Sequence, residues 1–74
     1  MRLGTYRAVK DTAMQTSNSA WMLMEGGKIE ITQIDKPAKK ALFSITWVGG
    51  KKTTDWLHFS RINKCFELVD EVKS

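Results

Sequence analysis

The sequence is short of the residues that carry catalytic and metal chemistry. Its 74 residues include one cysteine (Cys65), one histidine (His58) and one proline (Pro37). A single cysteine cannot form an intramolecular disulfide, which small secreted domains usually need, so we expect a reducing, cytoplasmic setting. A zinc site takes four ligands, and one Cys with one His falls short of that, so we expect no metal or other cofactor.

Long apolar stretches are also missing. No run approaches the roughly 18 apolar residues that cross a bilayer, and residues 1–10 lack the apolar centre of a signal peptide. We therefore expect a soluble protein with no membrane partner.

Motifs of enzyme active sites are absent as well. Cys65 and His58 lie seven positions apart, but nothing around them has the pattern of a nucleophile with an orienting base. The Gly26-Gly27 and Gly49-Gly50 pairs lack the spacing of a phosphate-binding loop, which favours turns at both places. The sequence predicts a protein that is not an enzyme.

The composition fits one small domain, residues 1–74, with a single core. Positive charge is concentrated in the middle of the chain, where Asp55 is the one acidic residue among seven basic ones. These are Lys36, Lys39, Lys40, Lys51, Lys52, Arg61 and Lys64. Such a segment favours binding to polyanions or acidic protein surfaces, and it equally fits a solvated surface that keeps the protein soluble.

Residues 42–59 have the clearest pattern, that of a β-hairpin. Apolar and polar residues alternate in both arms, which is the period of a half-buried strand. Gly49 and Gly50 suit the positive φ of a tight turn between the arms. In the second arm, Leu57 and Phe59 should face the core, so that Trp56 and His58 face outward.

The remaining segments predict short strands and connections. Strand patterns occur at residues 3–9, 20–24, 29–34 and 65–69. Residues 11–18 are polar and predict a long loop, and residues 60–64 predict one helical turn. Two alternatives stay open: a helix capped by Ser19 over the second strand segment, and a helix capped by Ser60 that replaces the closing strand.

The order of these elements resembles that of SH3-like barrels. YRAVKD (6–11) is similar to the first strand of that family, LMEGGKIEI (23–31) to its diverging turn, and LHFSRI (57–62) to the single helical turn before its last strand. The resemblance implies a mainly β, five-stranded SH3-like barrel. More loosely, a short basic barrel that ends in a CFELV-like strand resembles accessory proteins of bacterial viruses, which implies a host protein as partner and the host cytoplasm as location.

The chain departs from the peptide-binding branch of that family. Its first loop has Asp11 as its one acid and no aromatic residue, Trp47 stands alone, and residues 58–61 replace the family's proline and tyrosine region. We therefore do not expect recognition of polyproline ligands.

Two binding functions follow from the exposed aromatic residue and the basic segment. A protein-binding surface would use Trp56, His58, Lys51, Lys52 and Arg61. Direct nucleic-acid binding would use Lys36, Lys39, Lys40, Lys51 and Lys52 for phosphates and Trp56 for base stacking. Alternatively, Trp56 covers one end of the barrel; Trp21 and Trp47 are expected in the core. Oligomerisation through an edge strand is a third possibility.

Overall fold

A computed structural model describes residues 1–15, 20–47 and 49–71. Within these residues the chain forms seven strands and one helix. They are β1 (Gly4–Ala8), β2 (Thr12–Gln15), β3 (Ala20–Leu23), β4 (Lys28–Asp35), β5 (Lys40–Thr46), β6 (Lys52–His58), α1 (Phe59–Cys65) and β7 (Phe66–Glu71). The predictions of a mainly β chain and of a short helix before the last strand are confirmed.

The strands form two sheets in the part of the chain that the structure describes. Five antiparallel strands have the order β6-β5-β4-β1-β7, and β2 pairs with β3 in a separate sheet. Among the described strands, β6 pairs with β5 alone and β7 with β1 alone. The described sheets are therefore open, and the closed barrel stays a prediction.

The hairpin of β5 and β6 has the predicted form. Its register runs from Lys40 opposite His58 to Thr46 opposite Lys52. Gly49 and Gly50 have φ values of 99° and 89°, and the Gly50 N–H donates to the Trp47 carbonyl at 3.0 Å. A residue with a Cβ would be strained at these φ values, which explains why the turn contains two glycines.

The prediction of a loop over residues 11–18 is wrong for its first half. Thr12 and Met14 are buried, whereas Ala13 and Gln15 are exposed, so Thr12–Gln15 is a strand with one face inward. Its partner is β3, which excludes the helix proposed for residues 20–24. Backbone pairing and burial of Met14 outweigh the polar composition of this segment. The remainder of the predicted loop, with the proposed cap Ser19, lies outside the described residues.

The alternative prediction of a helix in place of the closing strand is also wrong. α1 ends at Cys65, and Phe66–Glu71 pairs with β1 as a strand. Ser60 lies inside α1 and does not cap it; His58 is at the N-cap position and makes no side-chain capping bond. The short helix instead contributes Ile62 and Cys65 to the core.

The core lies between the two sheets and α1. Its largest fully buried side chains are Phe43, Met14, Ile29, Ile31 and Ile62. Trp21 and Trp47 pack against it and are partly buried, with their rings edge to face at 5.1 Å between centroids. Trp21 also meets Phe43 at 6.4 Å. The two tryptophans therefore join β3 to the residue after β5, but they lie at the margin of the core and not within it as expected.

Candidate functional site

A surface groove of about 490 Å³ lies between β6 and the hairpin of β2 and β3. One wall belongs to β6 and the start of α1, and the other to β2 and β3. The walls are lined by Trp56, Leu57, His58, Ser60 and Arg61 on the first side and by Ala13, Met14, Gln15, Ala20 and Trp21 on the second. The lining is mostly apolar, which suits an apolar or aromatic contact.

Trp56 lies at the rim of this groove, on the outward face of β6. Its side chain is 40% exposed, and it stands opposite half-buried Leu42 of β5. Leu57 points the other way and packs against the core. The alternation along β6 thus confirms that Trp56 and His58 face outward while Leu57 faces inward.

The side of β6 that faces away from β5 is called the free edge. The hydrogen bonds at the two ends of the β5–β6 pair show which residues of β6 direct their backbone N–H and C=O groups toward it. The Trp47 N–H donates to the Lys51 carbonyl at 2.7 Å, and the Phe59 N–H donates to the Lys39 carbonyl at 2.9 Å. Paired positions alternate between bonded and non-bonded along an antiparallel ladder. Odd-numbered residues of β6 therefore bond to β5, and the N–H and C=O groups of Thr54 and Trp56 point to the free edge.

One of the backbone N–H groups at the free edge already has a hydrogen-bond partner, the side chain of Asp55. Its carboxylate accepts the N–H of Trp56 at 2.7 Å. Asp55 stands opposite Phe43 on the inward-facing side of β6 and is half-buried. Edge strands of natural sheets commonly carry an inward-pointing charge, because it discourages uncontrolled pairing with other chains.

Arg61 closes one end of the groove. Its guanidinium donates to the backbone carbonyl of Ala13 in β2, so α1 is tied to the second wall. The side chain remains exposed, and guanidinium has five N–H donors in total. Arg61 can therefore hold the groove in shape and still offer a positive charge to a bound group.

Further positive charge lies at the same end of the sheet. Lys40 stands opposite His58 in the register, and the Lys39 carbonyl accepts the N–H of Phe59. Lys36 belongs to the same turn, where its carbonyl accepts the Lys39 N–H at 3.1 Å. Lys39 and Lys40 thus stand next to the end of β6 and the start of α1, and Lys36 lies in the turn before them.

Lys51 and Lys52 are at the other end of the hairpin. Lys52 pairs with Thr46 and is six residues from His58 along β6, which is about 20 Å. Of the residues expected to bind a protein, Trp56, His58 and Arg61 come together at the groove. The set expected to bind nucleic acid is split between the two ends.

The possible nucleophile pair is separated by burial. His58 is exposed at the end of β6, whereas Cys65 is buried in the core at the end of α1. Among the described residues, no group of three or more His, Cys, Asp and Glu is arranged to hold a metal ion. No helix in the described ranges has the length and apolar character to cross a membrane.

The second wall is the part of the site that sequence reasoning missed. Met14 and Gln15 fall in the segment interpreted as a loop, and Trp21 was expected in the core without a role at the surface. Residues 12–15 (TAMQ) do not alternate between polar and apolar types, so the sequence carried no strand signal for the face that buries Thr12 and Met14.

Comparison with protein-family models, with curated proteins and with solved structures found no match to this chain. The groove and the charges around it are therefore the features that bear on function.

Proposed function

We propose that this protein is a non-catalytic interaction module that binds another protein at the groove, with Trp56 as its anchor. The observation that carries the proposal is a half-exposed tryptophan on β6, which pairs with β5 alone among the described strands, beside an apolar groove that ends at Arg61. Tryptophan and arginine are the residue types most enriched among the dominant contacts of protein interfaces.

The exposed part of Trp56 is large enough for such a role. A tryptophan exposed to 40% has about 100 Å² left to bury, which corresponds to about 2.5 kcal/mol of hydrophobic free energy. Residues that dominate interfaces typically contribute 2 kcal/mol or more. A partner that covers Trp56 therefore gains a dominant contact without any rearrangement of the core.

We also propose that the two sheets are parts of an SH3-like barrel and that the groove is its open side. The order of strands, the helix before the last strand and the turn between β3 and β4 support this assignment. The looser resemblance to accessory proteins of bacterial viruses makes a host cytoplasmic protein the first class of partner to test.

The test is capture from bacterial lysate treated with nuclease, using immobilised wild-type protein. We expect one stoichiometric protein partner, whose capture is lost with Trp56→Ala and retained with Val69→Ala. Val69 is the matched control because it is 48% exposed on β7, the opposite edge of the sheet. Loss of every partner after nuclease treatment, or equal capture by both variants, would contradict the proposal.

Nucleic-acid binding is the second candidate, and one observation favours it. Lys40 stands opposite His58, and Trp56 is two residues further along the same face of β6, so a phosphate contact and a stacking surface are neighbours. This function predicts gel shifts with single-stranded DNA or RNA that weaken steeply as salt rises. Lys40→Glu should abolish the shift and Lys28→Glu, on β4, should leave it; no shift at low salt would exclude the function.

A further inference from the structure

We infer, on the basis of the proposed function, that the partner presents an extended segment that pairs with β6 as an additional strand and carries acidic residues at one end. The segment would lie along the free edge, between β6 and β2. Its acidic end would face the start of α1. The groove, the backbone direction of β6 and the distribution of charge each support one part of this inference.

The backbone supports the extended conformation. Thr54 and Trp56 direct backbone groups toward the free edge, and these are the groups that an added strand needs at intervals of two residues. The same edge borders the groove, so alternate side chains of the added strand would enter it. There they would meet Leu57, Met14 and Trp21, while those on the other face would pass Trp56.

The charges support acidic residues at one end of the segment. Arg61 closes the groove at the start of α1, and Lys39 and Lys40 of the neighbouring turn flank the same end. Asp35 lies opposite Lys40, and its carboxylate already accepts the Ala38 N–H at 3.2 Å. Half-buried Asp55 is three residues from His58 along β6, so the cations outnumber the acidic residues at this end. Carboxylates of the partner would therefore meet a net positive surface.

Asp55 gives the inference a specific signature. An added strand that accepts the N–H of Trp56 must displace the Asp55 carboxylate from this donor. Asp55→Ala frees the donor and should strengthen binding about 2- to 10-fold. Asp55→Asn removes the charge and keeps an oxygen acceptor, so it should have a smaller effect.

The first measurement uses a set of nine-residue peptides in which apolar and polar residues alternate. Each peptide is made in two forms, with two Glu or with two Lys at one end, and its Kd is measured by calorimetry. We expect binding by acidic members and none by their lysine forms. The inference is overturned if no acidic member binds more tightly than its lysine form.

The second measurement tests backbone pairing. The tightest acidic peptide is N-methylated at alternate residues, along one edge or along the other. Methylation of the edge that faces β6 should weaken binding about tenfold or more, because each N–H removed costs one hydrogen bond. Methylation of the opposite edge is the matched control and should have little effect. Equal losses for the two edges would refute strand pairing.

Variants of the protein test the side-chain contacts with the same peptide. Trp56→Ala should weaken binding about 30-fold, and Lys40→Gln about 2- to 5-fold. Lys28→Gln and Val69→Ala should leave the Kd unchanged, and circular dichroism confirms that each variant is folded. Equal effects of Lys40→Gln and Lys28→Gln would contradict the charged end of the site.

The outcomes separate this inference from the proposed function. If a captured partner depends on Trp56 and yet the peptides fail both measurements, the module binds proteins by another mode and only the inference is lost. Tighter binding of a dT12 oligonucleotide than of any acidic peptide, with the same dependence on Trp56 and Lys40, overturns both the inference and the proposed function.

A second copy of this chain is another possible occupant, because β7 is itself acidic and apolar. Light scattering must therefore find the chain monomeric. Self-association that is weakened by Trp56→Ala would identify a second copy as the occupant and overturn the inference.

Discussion

Substitution of Gly4 by alanine tests the close approach of the β1 and β7 backbones. Gly4 belongs to β1 and pairs with Ile31 on one side and Glu71 on the other. Its φ is 153°, and a Cβ there would lie 2.9 Å from the Glu71 Cα and closer still to the Asp70 carbonyl oxygen. Both neighbours are backbone atoms, so a side chain at this position must push β1 and β7 apart.

The expected loss of stability has two parts. An alanine at positive φ costs about 1–2 kcal/mol, and overpacking against rigid neighbours adds about 1–3 kcal/mol. Gly4→Ala should therefore lower the free energy of unfolding by about 2–5 kcal/mol. The whole fold is expected to be stable by about 4–11 kcal/mol at 0.05–0.15 kcal/mol per residue, so this variant loses a large share of it.

Gly26→Ala is the matched control because it separates strain from contact. Gly26 has a φ of 89° and nothing within 4 Å of the added Cβ, so alanine there should cost about 1–2 kcal/mol from strain alone. Urea unfolding followed by tryptophan fluorescence measures both variants and wild type under one set of conditions. Equal losses at the two glycines would refute the reasoning, because they would leave no contribution from the contact between β1 and β7.

Three further substitutions test the packing around the candidate site, again by urea unfolding. Met14→Ala should destabilise the protein by about 2–5 kcal/mol, because Met14 is 2% exposed in the core; a loss below 1 kcal/mol would contradict a packed β2. Thr53→Val should cost about 1 kcal/mol, since the Thr53 hydroxyl accepts the Trp47 indole N–H at 2.7 Å; no loss would show that this bond is not stabilising. Ser44→Ala should be neutral or stabilising by about 1 kcal/mol, because the buried Ser44 hydroxyl has no hydrogen-bond partner among the described residues; a clear loss would argue that the hydroxyl is satisfied.

The two edges of the five-stranded sheet differ in the charges and apolar surface beside them. β7 carries the acidic residues Glu67, Asp70 and Glu71, and two of them, Glu67 and Glu71, pair with Arg7 and Arg2 of the N-terminal region. These ion pairs hold two of the three acidic side chains of β7 within the protein. At β6, by contrast, Trp56 and Arg61 border an open groove. The difference supports β6 as the edge proposed to bind a partner.

The conformation of the β5–β6 hairpin could be predicted from its own residues. The alternation in residues 42–59 and the Gly49-Gly50 pair specify strand, turn and strand locally, because side-chain period and backbone φ are set by neighbouring residues. For the same reason the outward direction of Trp56 followed once Leu57 was assigned to the core. The helical turn at residues 60–64 was predicted, but the sequence also allowed a helix in place of the closing strand, and the pairing of Phe66–Glu71 with β1 decided between them.

Tertiary structure alone decided that the hairpin has a groove beside it. β2 became a strand because Met14 could be buried against residues far along the chain, and no pattern within residues 11–18 reports that distant surface. The same holds for the contact of Arg61 with Ala13, which joins α1 to β2 across 48 positions. A sequence specifies local conformation through adjacent residues, but a site formed by three distant segments exists only after their apolar faces have packed together.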